Sequence, residues 1–214
     1  LSKTTVDEDD EDTDIRFVRT VSIRDTKVLL FGNKVEVRDA TTGSVLNTRD
    51  LDLSHASIDG DWIYAGGSSV AKLRVDGLDP VWRTEVSSRT TAIPAVSDER
   101  NKLVVGTKAG VRCFDTSTGD TEWEYRTAGE VSDYDGGVEL VDGIVWVFDD
   151  AGHLSIIDLS SGDPIYDEQQ KSNSDNPSDM VASGSELYLS LANSSEQPQT
   201  EIPRGTSAMS ISTE

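Results

Sequence analysis

The chain has 214 residues, and its 40 Asp and Glu against 19 Lys and Arg give a formal net charge of −21. That balance makes nucleic acid a poor partner, because phosphate contacts need a basic patch, and no run of 18 apolar residues is present to span a membrane as a helix. The one cysteine, Cys113, leaves no intramolecular disulfide to form, and its apolar surroundings mark it as a buried, inert thiol.

Residues 1–14, rich in acids from Asp7 to Asp14, are expected to form a disordered acidic arm. Residues 15–21 read as a strand that belongs to no repeat. From there one unit recurs: an apolar strand, a turn, a second strand ending in Asp, a Thr/Ser–Gly turn and a third strand. The first strands are 28–32, 62–66, 103–106, 144–147 and 187–190. Their centres, near Leu30, Ile63, Val104, Val145 and Leu187, lie 33, 41, 41 and 42 residues apart, the period of a four-stranded propeller blade. The second strands, 34–38, 69–75, 110–114 and 153–157, alternate as half-buried strands do. The third strands are 44–48, 80–84, 121–125 and 163–166, and the weaker segments 54–58, 92–96, 137–141 and 179–182 are placed as inner strands. Residues 168–178 and 193–205 read as exposed loops. The last repeat has an inner strand, then 187–191 and 207–212, and no outer strand; 15–21 would supply it, so that the chain's two ends share a blade and no sheet edge stays open. The expectation is an all-β propeller over residues 15–214, of about five four-stranded blades, its ring closed by N- and C-terminal strands. A fragment of a larger ring is the alternative.

The joint between second and third strands carries the most specific pattern: Asp39-Ala-Thr-Thr-Gly43, Asp115-Thr-Ser-Thr-Gly119 and Asp158-Leu-Ser-Ser-Gly162. Asp and Thr/Ser side chains bond their own backbone in a tight turn, and Gly takes the positive φ the turn needs. An apolar residue three or four places later (Leu46, Trp123, Ile165) is expected to dock the outer strand on the next blade. Trp82 and Trp123 do so with the largest area, worth about 1.5–3 kcal/mol each. In the second repeat Asp76-Gly-Leu-Asp-Pro-Val-Trp82 lacks the Thr–Gly pair, and the fifth is unreadable. These units resemble the repeat of quinoprotein-like (PQQ-repeat) propellers, Asp-x-x-Thr-Gly-x-x-x-Trp, over about residues 15–212. Quinone-dependent dehydrogenases of that kind are longer rings with a paired-cysteine motif and a calcium site beside a catalytic Asp. A single cysteine excludes the pair, so the closer likeness is to the non-catalytic members, which hold other proteins. The resemblance therefore implies no catalytic residue, no cofactor and no metal.

Propellers usually bind at the channel mouth, where loops enter the inner strands. His55, Arg89, Tyr134 and Asp179 are the candidates there, exposed Arg and aromatic side chains being the common anchors of interfaces. Each has a plainer reading: His55 as a satisfied structural histidine, Arg89 as a solvated charge isolated among Ser87, Ser88, Thr90 and Thr91. His153 reads as surface, Asp59-Gly60-Asp61 and Asp133-Tyr134-Asp135-Gly136 as turns that do not fit a calcium loop, and Gly66-Gly67 and Gly136-Gly137 as turn or bulge glycines. Asn193-Ser194-Ser195 would accept a glycan if the protein is exported.

The functional expectation is a non-enzymatic scaffold that binds other proteins or surface glycans in a cell-surface or virion assembly, extracellular rather than cytoplasmic. A quinone- or sugar-binding enzyme is the alternative. The acids are spread along the whole chain, with 26 Asp and only 7 Lys, which suits high salt, as in a halophilic archaeon or its virus; an acidic face for a basic partner is the rival. At molar salt the Debye length is about 3 Å and self-repulsion fades. The melting temperature is expected to climb between low salt and molar KCl; a flat or falling curve would remove the halophilic reading.

Overall fold

The structure, a computed structural model, describes residues 22–24, 27–31, 34–131, 137–169, 177–183, 186–191 and 207–210, with side chains over 34–97, 99–131 and 137–167. Its strands form five antiparallel sheets, each built from strands consecutive in sequence. The first holds β1 (Ser22–Arg24), β2 (Lys27–Phe31), β3 (Lys34–Asp39) and β4 (Val45–Asp50), and the second β5 (Leu53–Asp59), β6 (Trp62–Gly67), β7 (Ser69–Arg74) and β8 (Pro80–Glu85). The third holds β9 (Ala95–Ser97), β10 (Lys102–Thr107), β11 (Gly110–Asp115) and β12 (Thr121–Tyr125), and the fourth β13 (Val138–Val141), β14 (Ile144–Phe148), β15 (His153–Asp158) and β16 (Pro164–Gln169). The fifth, among the described residues, is three-stranded: β17 (Pro177–Ser183), β18 (Glu186–Leu191) and β19 (Ser207–Ser210).

Inner strands meet in chain order: β5 lies against β9, β9 against β13 and β13 against β17. The sheets therefore follow one another face to face, as propeller blades do. Sandwiched strands are buried on both faces, as β6 and β10 are; outer strands such as β8 alternate between exposed and buried. Two expectations shift. The first sheet has an inner strand of its own, β1, and β16 and β17 extend into the segment read as a loop. The arm 1–14 and the proposed closing strand 15–21 lie outside the described residues.

The turns behave as their composition dictates. Asp39 Oδ1 accepts the Thr41 and Thr42 amides, Asp115 Oδ1 those of Ser117 and Thr118, and Asp158 Oδ1 those of Ser160 and Ser161, at 2.7–2.9 Å. These N–H donors hold all three carboxyls below their ordinary pKa. Gly43, Gly119 and Gly162 sit at φ +72, +78 and +77.

The second repeat has the same turn, displaced from where its sequence suggested. Leu78 N donates to Arg74 O at 2.9 Å, matching Gly119 N to Asp115 O, and Leu78 takes φ +57. Arg74 and Leu78, not Asp76 and Gly77, thus stand in the Asp and Gly places. Four residues after the Gly place each outer strand carries its docking side chain: Asn47, Trp82, Trp123 and Tyr166, paired with Val37, Lys72, Cys113 and Ile156. The expectation for Leu46 and Ile165 fails. Each sits in the β-bulge just before the docking position and is 51% exposed, because the extra residue turns its side chain outward.

Trp82 lies on Gly119, where a Cβ would come within 2.6 Å of the indole, and its Nε1 donates to Thr116 O at 2.9 Å. Trp123 lies likewise on Gly162 and donates to Leu159 O. Between the first and second sheets the sizes are exchanged. Asn47 takes the Trp place, and Leu78, fully buried against a core that includes Val35 and Val37, takes the Gly place. Burying Leu is worth about 1.5–3 kcal/mol, against about 1–3 kcal/mol for its left-handed backbone. Leu78→Ala is expected to cost about 2–5 kcal/mol. Asn47→Trp combined with Leu78→Gly is expected to be more stable in urea than either single variant, and simple addition of the two losses would refute the exchange.

Candidate functional site

Antiparallel pairing brings the loops that enter the inner strands to the same end as the β6–β7, β10–β11 and β14–β15 turns. This mouth is the candidate site. Arg89 is not isolated there: its guanidinium donates to both oxygens of Asp52, Nη1 at 3.0 Å and Nη2 at 2.8 Å. The two residues are distant in sequence, which is why composition near Arg89 could not reveal the pair. Hydrogen bonding from Arg89 is the chief cause holding the Asp52 carboxyl below its ordinary pKa.

His55 is buried in β5, with Nδ1 3.0 Å from Ser54 Oγ. It pairs with Gly66, and Ser57 with Tyr64. Directly opposed residues share a sheet face, and Tyr64 packs with Leu103, Val105 and Phe114 of the third sheet. His55 therefore faces the third sheet rather than an open channel. Gly66 and Gly67 lie opposite the β-bulge at Ser54, so the bulge half of that expectation holds and the turn half does not. They are strand residues against which the entering loops close: a Cβ on Gly66 would meet Thr90, and one on Gly67 would strike the Asp52 carbonyl. Thr90 N donates to Gly67 O at 3.0 Å and Thr91 N to Gly106 O at 2.9 Å. The structure thus brings His55 and Arg89 together, joined through Asp52 and Thr90. Tyr134 lies outside the described residues. Asp179 is in β17, registered opposite Ser190, and its side chain lies outside the described ones.

Asp149 and Asp150 were not among the candidate residues. Asp149 is fully buried; its Oδ2 accepts Gly129 N at 2.7 Å and its Oδ1 His153 N at 2.8 Å, while Asp150 Oδ1 accepts Glu130 N at 2.8 Å. Together they fasten the loop that enters the fourth sheet. Its signal was an acid pair at the end of the apolar run of β14. Lys108 and Glu130 form a second ion pair at this end, at 3.4 Å. His153, expected at the surface, is only partly exposed and stands 3.7 Å from Asp167, whose carboxylate also accepts Tyr125 OH at 2.7 Å and Ser155 Oγ at 3.2 Å. Burial, the largest cause, and Asp167 raise the Tyr125 pKa. Cys113 is buried in β11, where desolvation pushes its thiol up to about 12 and holds it neutral, as its apolar run implied.

A family model described as outer membrane protein assembly factor BamB matches residues 32–193. Among solved structures, BamB from Moraxella catarrhalis superposes with a TM-score of 0.61 at 20% identity, covering 81% of this chain and 57% of that one. The computationally designed protein Ika8 gives 0.68 at 14% identity, over 79% of this chain and 54% of its own. A europium-containing methanol dehydrogenase gives 0.59 at 14%, over 71% and 41%. At such identities the likeness shows the fold alone, and the chain spans little more than half of the first two structures. No curated protein matches the sequence.

The Asp52–Arg89 fork has a defined pH window. Because the Asp52 pKa is lowered in the folded chain, the stability it lends is fully present above the ordinary carboxyl value of 3.8 and is lost as pH falls through the lowered value. Hydrogen-exchange protection of the Thr90 and Thr91 amides should hold from pH 7 to about 4.5 and fall below the ordinary carboxylate range. In Asp52→Asn it should already be reduced at pH 7; unchanged protection there would show that the fork does not hold the loop.

Proposed function

The chain belongs to the PQQ-repeat family described as outer membrane protein assembly factor BamB, and from that membership we propose that it is a non-enzymatic propeller whose mouth binds another protein. The family match over residues 32–193 is the observation that carries this reading. The geometry supports it. Loops positioned by a rigid scaffold are where binding residues concentrate, and the mouth loops are fastened by Asp52–Arg89, Lys108–Glu130 and the Asp149 and Asp150 carboxylates. Both ion pairs are exposed, so the mouth offers bidentate and single-charge partners to an incoming polar surface. The neutral Cys113 thiol supports a role without covalent catalysis.

The fuller form of the proposal is a ring of five blades in which 15–21 adds a fourth strand to β19, serving as a scaffold in a salt-rich envelope, surface or virion assembly. Support comes from the fifth sheet, three-stranded among the described residues, and from the acid excess along the whole chain. A protein partner is preferred to a surface glycan.

The test compares two ends of the molecule at molar KCl, using proteins retained from a native-source extract by the immobilised full chain. Arg89→Glu and Lys108→Glu are expected to reduce retention at least about tenfold, the loss typical of an interface anchor. Arg38→Glu, beside the Gly43 turn at the opposite end, should leave it unchanged. The reverse pattern would move the site away from the mouth. Alcohol-dependent dye reduction on adding pyrroloquinoline quinone and calcium would overturn the non-enzymatic reading.

A further inference from the structure

The joints between sheets differ in chemistry. That between the first and second is apolar, built on Val35, Val37, Ile63, Leu73 and Leu78. That between the third and fourth is equally apolar, with Val104, Val111, Val145, Val147 and Ile157. The joint between the second and third is apolar in its outer part, where Trp82 and Phe114 lie. Its inner end is polar.

There the second sheet presents His55 and Ser57, two residues apart on β5 and so on one face. Across from them stands Thr90, 2% exposed, its hydroxyl on the spot a Gly66 side chain would fill. Since Gly66 is the strand partner of His55, the Thr90 hydroxyl lies beside the His55 side chain. Ser57 Oγ and Thr90 Oγ1 are both buried and make no hydrogen bond to a protein atom. A buried hydroxyl without a partner is costly, and two on one face of one joint call for a shared partner.

We propose that the inner end of this joint is a binding site for buried water, held between Ser57 Oγ and Thr90 Oγ1 beside His55 and roofed by the Asp52–Arg89 fork. The hydroxyls are neutral and each donates and accepts, which matches water rather than an ion. A bound water needs two to four polar partners, and this end of the joint supplies them from both sheets. The fork closes above, since Asp52 lies three residues before His55 and Arg89 adjoins Thr90.

Thr90→Val and Ser57→Ala distinguish this from a dry joint. If the hydroxyls were dry, their removal would relieve an unpaired group and raise the melting temperature, or leave it unchanged. With water bound, each substitution is expected to lower it by about 2–4 °C for a chain of this size. The double variant should fall by clearly less than the sum, because the water is lost with the first substitution. A rise or no change in either single variant, or strict additivity, overturns the proposal. Should a variant fail to fold, the unsubstituted chain still decides. Long-lived water should give cross-relaxation to the Thr90 and Thr91 amides in nuclear magnetic resonance, and its absence there overturns the site.

Discussion

The structure depends on one fit, repeated from sheet to sheet: a side chain four residues past a turn fills the space left over the turn of the next sheet. Asp, Gly and Trp are three parts of that device. The Asp carboxylate fixes the turn by accepting two amides. The Gly keeps the site open, and the indole occupies it while handing its N–H to the turn's own carbonyl. The spacing has a mechanical origin. A bulge between Gly and Trp adds one residue to the outer strand, and this shifts the parity so that the fourth residue, not the third, faces inward. Two residues further on, a second contact crosses each of the first three joints: Arg49 Nη1 to Leu78 O, Thr84 Oγ1 to Gly119 O and Tyr125 OH to Asp167. Fit and hydrogen bond together set how each sheet is seated on the next.

In such an array each sheet contacts only its neighbours, so a change at one joint is compensated at that joint. The exchange of Asn47 and Leu78 is such a compensation, since the small and large partners have traded sides without disturbing the two joints that keep Trp on Gly. The same independence lets one joint carry polar groups. His55, Ser57 and Thr90 sit between the second and third sheets while Trp82 and Phe114 hold the outer part of that joint. In that joint the buried hydroxyls of Ser57 and Thr90, which have no protein partner, lie at the inner end, beneath the mouth where Arg89 meets Asp52.

Much of the architecture was legible because it is written in local patterns. The period near forty, the apolar runs of β6, β10 and β14, the three Asp-to-Gly turns and the docking of Trp82 and Trp123 each follow from a few adjacent residues. What escaped depended on backbone position instead of residue type. The second turn could not be aligned, since Leu78 in a left-handed conformation carries none of the usual Gly signal and Asp76 offered a false start. Leu46 and Ile165 were misplaced because a bulge is invisible in an alternating pattern. At the mouth, the sequence drew Arg89 and His55 to one region but did not reveal their connection. Asp52 is far from Arg89 in sequence, and nothing beside Gly66 and Gly67 shows that they let Thr90 and Asp52 approach the strand.

The acid excess and the fold are compatible for a specific reason. Asp39, Asp115 and Asp158 are stabilised chiefly by backbone amides, with a smaller pull from Lys102 on Asp115 and from Arg100 on Asp158, and their lowered pKa values record that preference for the charged form. Asp149 and Asp150 likewise accept amides of the loop they fasten. The acids that shape the architecture therefore draw mainly on backbone amides. Arg89 and Lys108 stand at the mouth in exposed pairs with Asp52 and Glu130. Exposed pairs add little to global stability, about 0–1 kcal/mol each, so these two act locally, on the loops they fasten.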